Sequence, residues 1–181
     1  VTLHLKDYRE MEGAFDKISS VGMYEHIGLA NIPDYFRTVR RLLAPGGLFL
    51  NHAISRGAKR RRRRFASRPE QRALQKYIFP GGELDDIGHT LAKMEIAGLE
   101  VQDVEALRQH YQITTRSWAE RLHAHRAEAE ALVGDETYRL WAAYLAGCSF
   151  AFQRGSARIH QTLASRSPKG FTAVPPTRFD I

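Results

Sequence analysis

The segment from Phe15 to Ile54 constrains the fold more than any other part of the chain. Apolar runs over Phe15–Met23 and Leu48–Ile54 each predict a strand. Between them, Asn31 as a cap residue and Pro33 in the first turn predict the start of a helix. The apolar stripe of this helix consists of Tyr35, Phe36, Val39, Leu42 and Leu43. Strand, helix and strand in this order form the βαβ unit of a parallel sheet, so the predicted fold class is α/β.

The remaining apolar patterns continue the alternation of strands and helices. The further predicted strands are Val1–Leu5, Leu99–Leu107 and Ala157–Leu163. The further predicted helices carry the stripes Leu84–Met94, Trp118–Leu132 and Tyr138–Phe152, the first of them ended by Gly98 and the last by Gly155. We expect residues 1–165 to form one domain. Residues 166–181 contain proline and glycine without periodicity and are expected to form a loose tail.

Composition narrows the class of protein. The 181 residues, 43% of them hydrophobic, suffice for one sizeable core. The single cysteine, Cys148, excludes a disulfide framework and a Cys-rich zinc site, and no metal site is expected. No apolar run approaches the roughly 18 to 20 residues of a membrane span, so we expect a cytoplasmic protein.

The positive charge of the chain is concentrated in one segment. Between Arg56 and Arg68 there are eight basic residues and no acidic one, and subtracting these eight from the net charge of +7 leaves −1. A charge this local argues against a surface shaped as a whole to hold nucleic acid. A solvated loop remains an alternative for this segment.

Polar side chains lie at the ends of three of the predicted strands. They are Asp7 and Tyr8, then Glu25 and His26, then Asn51 and His52. Ligands of open parallel sheets bind outside the carboxyl ends of the strands, so these residues together predict a site. The alternative is local: Asp7 caps a turn and His26 caps a helix.

Several ordered motifs then carry a resemblance. They are FDKISSVGMYEHIG at 15–28, LLAPGG at 42–47, the His52 strand, YIFPGGEL at 77–84, His110-Tyr111 followed by Trp118, and YLAGC at 144–148. This set resembles the cyclopropane-fatty-acyl-phospholipid synthases, S-adenosylmethionine-dependent enzymes related to the mycolic acid cyclopropane synthases. The likeness spans roughly Val1 to Leu163. It implies a Rossmann-like class I methyltransferase sheet with flanking helices.

The resemblance implies a catalytic set. In this family a bicarbonate ion lies beside the sulfonium methyl group, and the residues that match its ligands are Glu25, His52 and Tyr111, with backbone from Ile54. Cys148 matches a cysteine that has been labelled catalytic, with a packed thiol as the alternative.

The resemblance also implies a cofactor set. Asp7, Tyr8 and Arg9 match positions that contact the adenosine portion of S-adenosylmethionine. Val21 and His26 match positions near its methionine end.

The implied reaction suits these residue types. A cis double bond is a weak nucleophile, and placing it against the methyl group is worth ~7 to 11 kcal/mol. Methyl transfer leaves a carbocation, which the carboxylate of Glu25 or the ring of Tyr24 or Tyr111 would stabilise while a base removes a proton. The product is a cyclopropane or a methylene or methyl branch, and the sequence leaves both open.

The implied substrate is an unsaturated acyl chain on a phospholipid. Arg60 to Arg64 would hold the protein to anionic headgroups at ~1 kcal/mol for each residue. The faces that carry Trp118, Trp141, Phe150 and Phe152 either line an acyl tunnel or form ordinary core. A homodimer is also expected.

One part of the family pattern is missing. The Gly-rich turn that cradles the cofactor, and the acidic residue for its ribose, lie upstream of the matched region in the family and have no counterpart in this sequence. We therefore expect the chain to be the C-terminal part of the enzyme. The alternative is a non-enzymatic remnant that binds anionic membrane through Arg56–Arg68.

Overall fold

A computed structural model describes residues 1–58, 69–169 and 174–177. Its strands are β1 (Phe15–Val21), β2 (Leu43–Arg56), β3 (Asp85–Asp86), β4 (Glu100–Ala106) and β5 (Ala157–Ser165). Its α-helices are α1 (Ile32–Leu42), α2 (Pro69–Tyr77), α3 (Ile87–Ile96), α4 (Arg108–Ala124), α5 (Arg126–Val133) and α6 (Asp135–Arg154). Short 3₁₀ turns cover Tyr8–Glu10, Tyr24–His26 and Leu29–Asn31. Most of the basic segment, including Arg60 to Arg64, lies outside the described residues.

The chain divides into two compact units where the sequence predicts one domain. The first unit contains Val1–Ala53, Gly81–Glu105 and His160–Ile181, and the second contains Ile54–Pro80 and Ala106–Ile159. Three of the four boundaries fall inside strands, namely β2, β4 and β5.

The sheet has the strand order β1-β2-β5-β4, with β3 paired to β2. β1 and β2 are parallel, and their register runs from Lys17 opposite Leu48 to Val21 opposite His52. This parallel pair joined through α1 confirms the predicted α/β class.

The prediction for the start of the second strand is wrong by five residues. β2 begins at Leu43 rather than Leu48, and a register shift separates its first pair from the rest. The reason is a distant partner: the N–H of Gly46 donates to the carbonyl of Arg166 (2.8 Å), and the N–H of Arg166 donates to the carbonyl of Gly47 (3.0 Å). These bonds keep Gly46 and Gly47, which have the composition of a turn, within the strand.

Arg166 itself is not a loose residue. Besides these backbone bonds, its guanidinium donates to the carbonyls of Leu43 (2.6 Å) and Arg40 (3.3 Å) at the end of α1. Carbonyls in the last turn of a helix lack partners within the helix, so this side chain serves as a cap from the far end of the chain.

The helix α1 follows its sequence pattern closely. All five residues of the predicted stripe are buried, and Tyr35, Phe36 and Phe49 are at the centre of the core of the first unit. Asn31 precedes the helix as predicted, but its side chain makes no capping bond. Its amide instead donates to the carbonyl of Ile27 (2.7 Å).

The helix α3 is bounded by an aspartate and a glycine. The carboxylate of Asp86 accepts from the N–H of His89 (3.0 Å), which makes Asp86 the N-cap. Gly98 follows the helix with φ of 80°, as its predicted role requires. Leu84 lies before the helix because Asp85 and Asp86 pair with β2.

The predicted first strand, Val1–Leu5, is wrong. These residues have no strand assignment and are exposed, including the side chains of Val1, Leu3 and Leu5. A run of β-forming residues becomes a strand only where a neighbouring strand takes its N–H and C=O groups. β1 has β2 as its neighbour, and the described residues offer none to Val1–Leu5.

The second unit is built mainly from helices. The predicted helix Trp118–Leu132 is two helices, α4 and α5, which separate at His125. α4 and α6 pack together: Arg108 donates to the carbonyl of Phe152 (2.6 Å), and Ser149 donates to the carbonyl of Gln112 (3.3 Å). Phe152 is buried, whereas the other three aromatic residues assigned to tunnel or core are exposed, namely Trp118, Trp141 and Phe150. Among the described residues, no helix is both long and apolar enough to cross a membrane.

Candidate functional site

A cavity of about 310 Å³ lies in the first unit. Its lining residues are Asp7, Tyr8, Arg9, Met23, His26, Ile27, Asn31 and Asp34. Four of the five residues in the implied cofactor set are therefore around one space. The fifth, Val21, lies at the end of β1 with 66% of its surface exposed and is outside this lining.

A 3₁₀ turn brings the first three of these residues to the cavity. Asp7 caps this turn, and its carboxylate accepts from the backbone N–H (2.9 Å) and the guanidinium (2.7 and 2.9 Å) of Arg9. These bonds lower the pKa of Asp7 to about 2. The carboxylate is therefore ionised at neutral pH and oriented by its neighbour.

An arginine of α1 fixes this turn to the helix. The guanidinium of Arg41 donates to the carbonyls of Met11 (3.1 Å) and Arg9 (3.4 Å). The ring of Tyr8 meets the ring of Tyr35 edge to face at 5.6 Å. Partial burial of Tyr8 raises the pKa of its hydroxyl.

A second 3₁₀ turn, Tyr24–His26, follows β1 and gives two adjacent residues different environments. Glu25 is buried with 6% of its surface exposed, and its carbonyl accepts from the N–H of Glu83 (2.9 Å). His26 is exposed and lines the cavity. The turn thus directs one residue of the implied catalytic set inward and one of the implied cofactor set toward the cavity.

His52 is buried in β2, directly opposite the last residue of β1. Its carbonyl accepts from the N–H of Gly22 (3.0 Å). The expectation that Asn51 and His52 lie at the end of their strand is wrong, because β2 continues to Arg56. Asp7 is likewise not a strand-end residue, because Val1–Leu5 is not a strand. His52 nevertheless lies where β1 ends. It is bonded to Gly22, which precedes Glu25 by three residues in the chain.

The other two residues of the implied catalytic set, Tyr111 and Cys148, belong to the second unit. Tyr111 is half-buried near the start of α4, and its ring meets that of Phe152 at 5.5 Å. Ile54, which the resemblance includes for its backbone, lies in the part of β2 that belongs to the second unit. A common site for all these residues stays a prediction.

Cys148 lies on α6 beside Tyr144, one helical turn earlier. Burial raises the pKa of the Cys148 thiol, and burial likewise raises the pKa of Tyr144. A thiolate nucleophile requires the opposite shift. This direction favours the packed thiol, and the catalytic role of Cys148 stays a prediction.

The family described as mycolic acid cyclopropane synthetase matches residues 1–162. The chain belongs to this family. Its members are S-adenosylmethionine-dependent methyltransferases, and the resemblance expected from the motifs is confirmed.

Individual members of the cyclopropane synthetase family are similar over nearly the whole chain. A Pseudomonas putida protein named "Probable fatty acid methyltransferase" is 41% identical over an aligned length of 184, which covers 100% of this chain and 46% of the relative. The cyclopropane-fatty-acyl-phospholipid synthase of Escherichia coli K12 is 33% identical over 92% of this chain and 41% of its own length. The chain thus spans about half the length of the curated relatives it matches.

A solved structure of the cyclopropane synthetase family supports the fold. The mycolic acid cyclopropane synthase CmaA1 in complex with SAH and CTAB has a TM-score of 0.78 and 28% identity. The similarity covers 87% of this chain and 57% of that one. The Rossmann-like methyltransferase fold is confirmed by this likeness.

One buried polar group of the first unit is not predicted by the sequence. Asp85 has 1% of its surface exposed, and one of its oxygens, Oδ2, accepts from the hydroxyl of Tyr24 (3.0 Å). The same oxygen lies 2.6 Å from Nδ1 of His89 and 3.5 Å from Oγ1 of Thr90. The only signal in the sequence is a pair of aspartates before a helical stripe. In the structure the second aspartate caps α3, and nothing local in the sequence distinguishes the first as buried.

Proposed function

We propose that the chain is part of an S-adenosylmethionine-dependent methyltransferase that acts on the cis double bond of an unsaturated fatty acyl chain of a phospholipid. The product is a cyclopropane or a methylene or methyl-branched acyl chain. The observation that carries the proposal is the cavity of the first unit, around which Asp7, Tyr8, Arg9 and His26 come together in a chain of the cyclopropane synthetase family.

The lining of this cavity fits part of a nucleoside-containing cofactor. Its volume of about 310 Å³ is at the lower end of the range of small-ligand pockets, and its lining combines an aromatic ring with charged and amide groups. In the proposal, Asp7, Tyr8 and Arg9 hold the adenosine portion, and His26 and Val21 lie near the methionine end. The cofactor, when bound, supplies a methyl group on a positively charged sulfur.

The buried residues of the first unit have the chemistry that the reaction needs. In the proposal, the carboxylate of Glu25 faces the positive charge that develops on the acyl chain, and His52 helps to remove a proton. Burial of both side chains favours this role, because electrostatic stabilisation is stronger away from water. With Tyr111, and backbone from Ile54, they would also hold a bicarbonate ion beside the methyl group.

Two products are possible after methyl transfer, and they differ in the carbon from which the proton is removed. If the proton leaves the transferred methyl group, the new carbon–carbon bond closes a three-membered ring. If it leaves a carbon of the chain, a methyl branch remains beside a double bond of the chain, and a separate reductase would have to saturate that bond to give a methyl-branched acyl chain. The choice between them depends on which hydrogen the base reaches.

A peripheral contact with the cytoplasmic face of a membrane completes the proposal. Arg60 to Arg64 would contact anionic headgroups, each for ~1 kcal/mol. Arg56 is excluded from this contact because only 3% of its surface is exposed and its guanidinium donates to the carbonyl of Gly57 (3.2 Å).

Vesicle flotation tests the membrane contact. We expect the protein to float with vesicles that contain anionic lipid, less so at high salt, and to stay behind with neutral vesicles. Glutamine at all five positions from Arg60 to Arg64 should weaken binding at least about 100-fold. Glutamine at Arg116 and Arg139, which are exposed in the second unit, is the control and should have little effect. Salt-insensitive binding would contradict the proposal.

Methyl transfer is tested with a chimera, because the chain spans about half of its relatives. The chain replaces the matched part of the Pseudomonas putida relative. The chimera is incubated with methyl-labelled S-adenosylmethionine and vesicles of cis-unsaturated phospholipid. We expect label in the acyl chains, identified by mass spectrometry after hydrolysis of the lipid. An unlabelled lipid fraction from a folded chimera, beside a labelled one from the parent enzyme, would refute the proposed activity.

A further inference from the structure

The segment that follows the Pro80-Gly81-Gly82 turn is bonded to the turn that carries Glu25. The N–H of Glu83 donates to the carbonyl of Glu25 (2.9 Å). In the other direction, the N–H of Leu29 donates to the side-chain carboxylate of Glu83 (2.8 Å). Two parts of the first unit that lie more than fifty residues apart in the chain are therefore joined at both of these points.

Asp85 forms the buried part of the same junction. A carboxylate with 1% of its surface exposed is costly unless donors replace its hydration. Its Oδ2 atom accepts from Tyr24 at 3.0 Å and contacts Nδ1 of His89 at 2.6 Å. Thr90 is also within reach, 3.5 Å from Asp85 and 3.2 Å from the hydroxyl of Tyr24.

Tyr24 transmits this arrangement to the backbone of the turn. Its ring packs against those of Tyr35 and Phe36, each at 5.7 Å between centroids, so the side chain is held along its length. Burial raises the pKa of the Tyr24 hydroxyl further above neutral pH, in keeping with its role as the donor to Asp85. A tyrosine fixed at its ring and at its hydroxyl leaves the adjacent residue, Glu25, little backbone freedom.

We propose that Asp85 is a positioning residue, which holds Tyr24 and thereby fixes the Tyr24–His26 turn with Glu25 buried and His26 at the cavity. The catalytic meaning of this inference rests on the proposed function, in which Glu25 faces the reacting acyl chain. The structural part, that Asp85 orders the turn, stands on the contacts alone.

Amide hydrogen exchange on the intact chain tests the structural part. Tyr24→Phe keeps the packed ring and removes the hydroxyl. We expect the amides of His26, Ile27 and Glu83, whose acceptors lie in or beside the turn, to exchange about tenfold faster. Tyr138→Phe, a buried tyrosine of α6, is the matched control and should leave these three amides unchanged. Unchanged exchange in Tyr24→Phe, or an equal increase throughout the first unit, would overturn the inference.

Two substitutions of Asp85 separate the carboxylate from the space it fills. Asp85→Asn retains an oxygen that accepts from Tyr24 and should keep exchange near that of the unmodified chain. Asp85→Leu removes the acceptor and should reproduce the effect of Tyr24→Phe. Equal exchange in the asparagine and leucine variants would contradict a role for the acceptor oxygen. If Asp85→Leu does not fold, the comparison of Tyr24→Phe with Tyr138→Phe still decides.

Steady-state kinetics in the methyl-transfer assay tests the catalytic part. We expect Tyr24→Phe to lower kcat about tenfold with the KM for lipid within about twofold, because the turn is disordered while the lipid surface is untouched. Asp85→Asn should retain most of the kcat of the unmodified chimera, and Tyr138→Phe should not alter it. An unchanged kcat in Tyr24→Phe would refute the catalytic part. If the unmodified chimera transfers no methyl group, the proposed function fails, and hydrogen exchange decides the structural part separately.

Discussion

At the scale of single residues, Glu25 and His26 show how one short turn separates two tasks. The carboxylate of Glu25 is in the interior, where a charge acts strongly on whatever is beside it. The imidazole of His26 is exposed at the cavity, where it is accessible to a bound molecule. Consecutive residues can serve both places because a 3₁₀ turn points adjacent side chains in different directions.

The isosteric change Glu25→Gln tests the buried carboxylate. It removes the negative charge and keeps the shape, so we expect the chimera to fold and its turnover to fall by ~10² or more, with a similar fall for His52→Ala. The measurement is label incorporated into phospholipid per minute. Glu136→Gln, on the exposed surface of α6, is the control. Turnover near normal in Glu25→Gln would exclude this carboxylate from the reaction.

The pairing of Asp7 with Arg9 gives a pH-dependent prediction. The pKa of Asp7 in the folded chain is about 2, below its ordinary value of 3.8. The stabilising contribution of the pair is therefore complete above pH 3.8 and is lost as the pH falls through about 2. Carboxyl chemical shifts measured by NMR should give a midpoint near 2, and Arg9→Ala should return it toward 3.8. A midpoint that Arg9→Ala leaves unchanged would exclude Arg9 as the cause.

At the scale of elements, α3 shows how a helix is bounded at both ends by local chemistry. Asp86 supplies an acceptor to the first turn, and Gly98 adopts a left-handed conformation after the last turn. A Cβ atom at Gly98 would also approach Nε of Arg40 to 2.7 Å. The glycine is thus required by its φ of 80° and by a neighbouring side chain.

Gly98→Ala is expected to destabilise the first unit by about 1 to 2 kcal/mol, because alanine is strained at positive φ. Gly88→Ala in the same helix is the matched control. Its Cβ would meet only Asp86 at 3.5 Å, and it should be neutral or stabilise by up to about 1 kcal/mol. Urea unfolding followed by circular dichroism measures both. Equal midpoints for the two variants would contradict the assignment of Gly98 as a conformational requirement.

At the scale of the whole molecule, β1 is an edge of the described part of the sheet. It pairs with β2, while the side chains of Phe15 and Val21 are exposed at its two ends. An unpaired strand edge with apolar side chains is a template for pairing with another chain. The edge of β1 is therefore a candidate surface for the expected homodimer and for association of the isolated chain.

We therefore expect the 181-residue chain to self-associate at micromolar concentration through β1. Ser19→Lys places a charge on the exposed middle of this strand and should shift the chain toward monomer. Gln109→Lys adds the same charge to an exposed position of α4 and should not. Sedimentation velocity over a range of concentrations measures the association. Equal association of the two variants would show that another surface is responsible.

Some residues of the candidate site could be predicted from a local motif, whereas the position of others depends on contacts between distant parts of the chain. The motif around Glu25 and His26 is contiguous, so the sequence sufficed to select it. That Asp7, Tyr8, Arg9 and His26 line one cavity depends on Arg41 holding a turn that lies some thirty residues earlier in the chain. Their proposed contacts with the cofactor, and the meeting of Glu25 and His52 with Tyr111, stay predictions.

By itself, the sequence determined the features that depend on nearby residues: the stripe of α1, the glycine that ends α3, the α/β order and the family. These are periodicities and motifs, and their physical causes act within a few residues. Only the tertiary structure decided that Val1–Leu5 is no strand, that Arg166 extends β2, and that Asp85 is buried against Tyr24. Each of these depends on a partner distant in the chain, because hydrogen-bonding groups take the partners that folding brings to them.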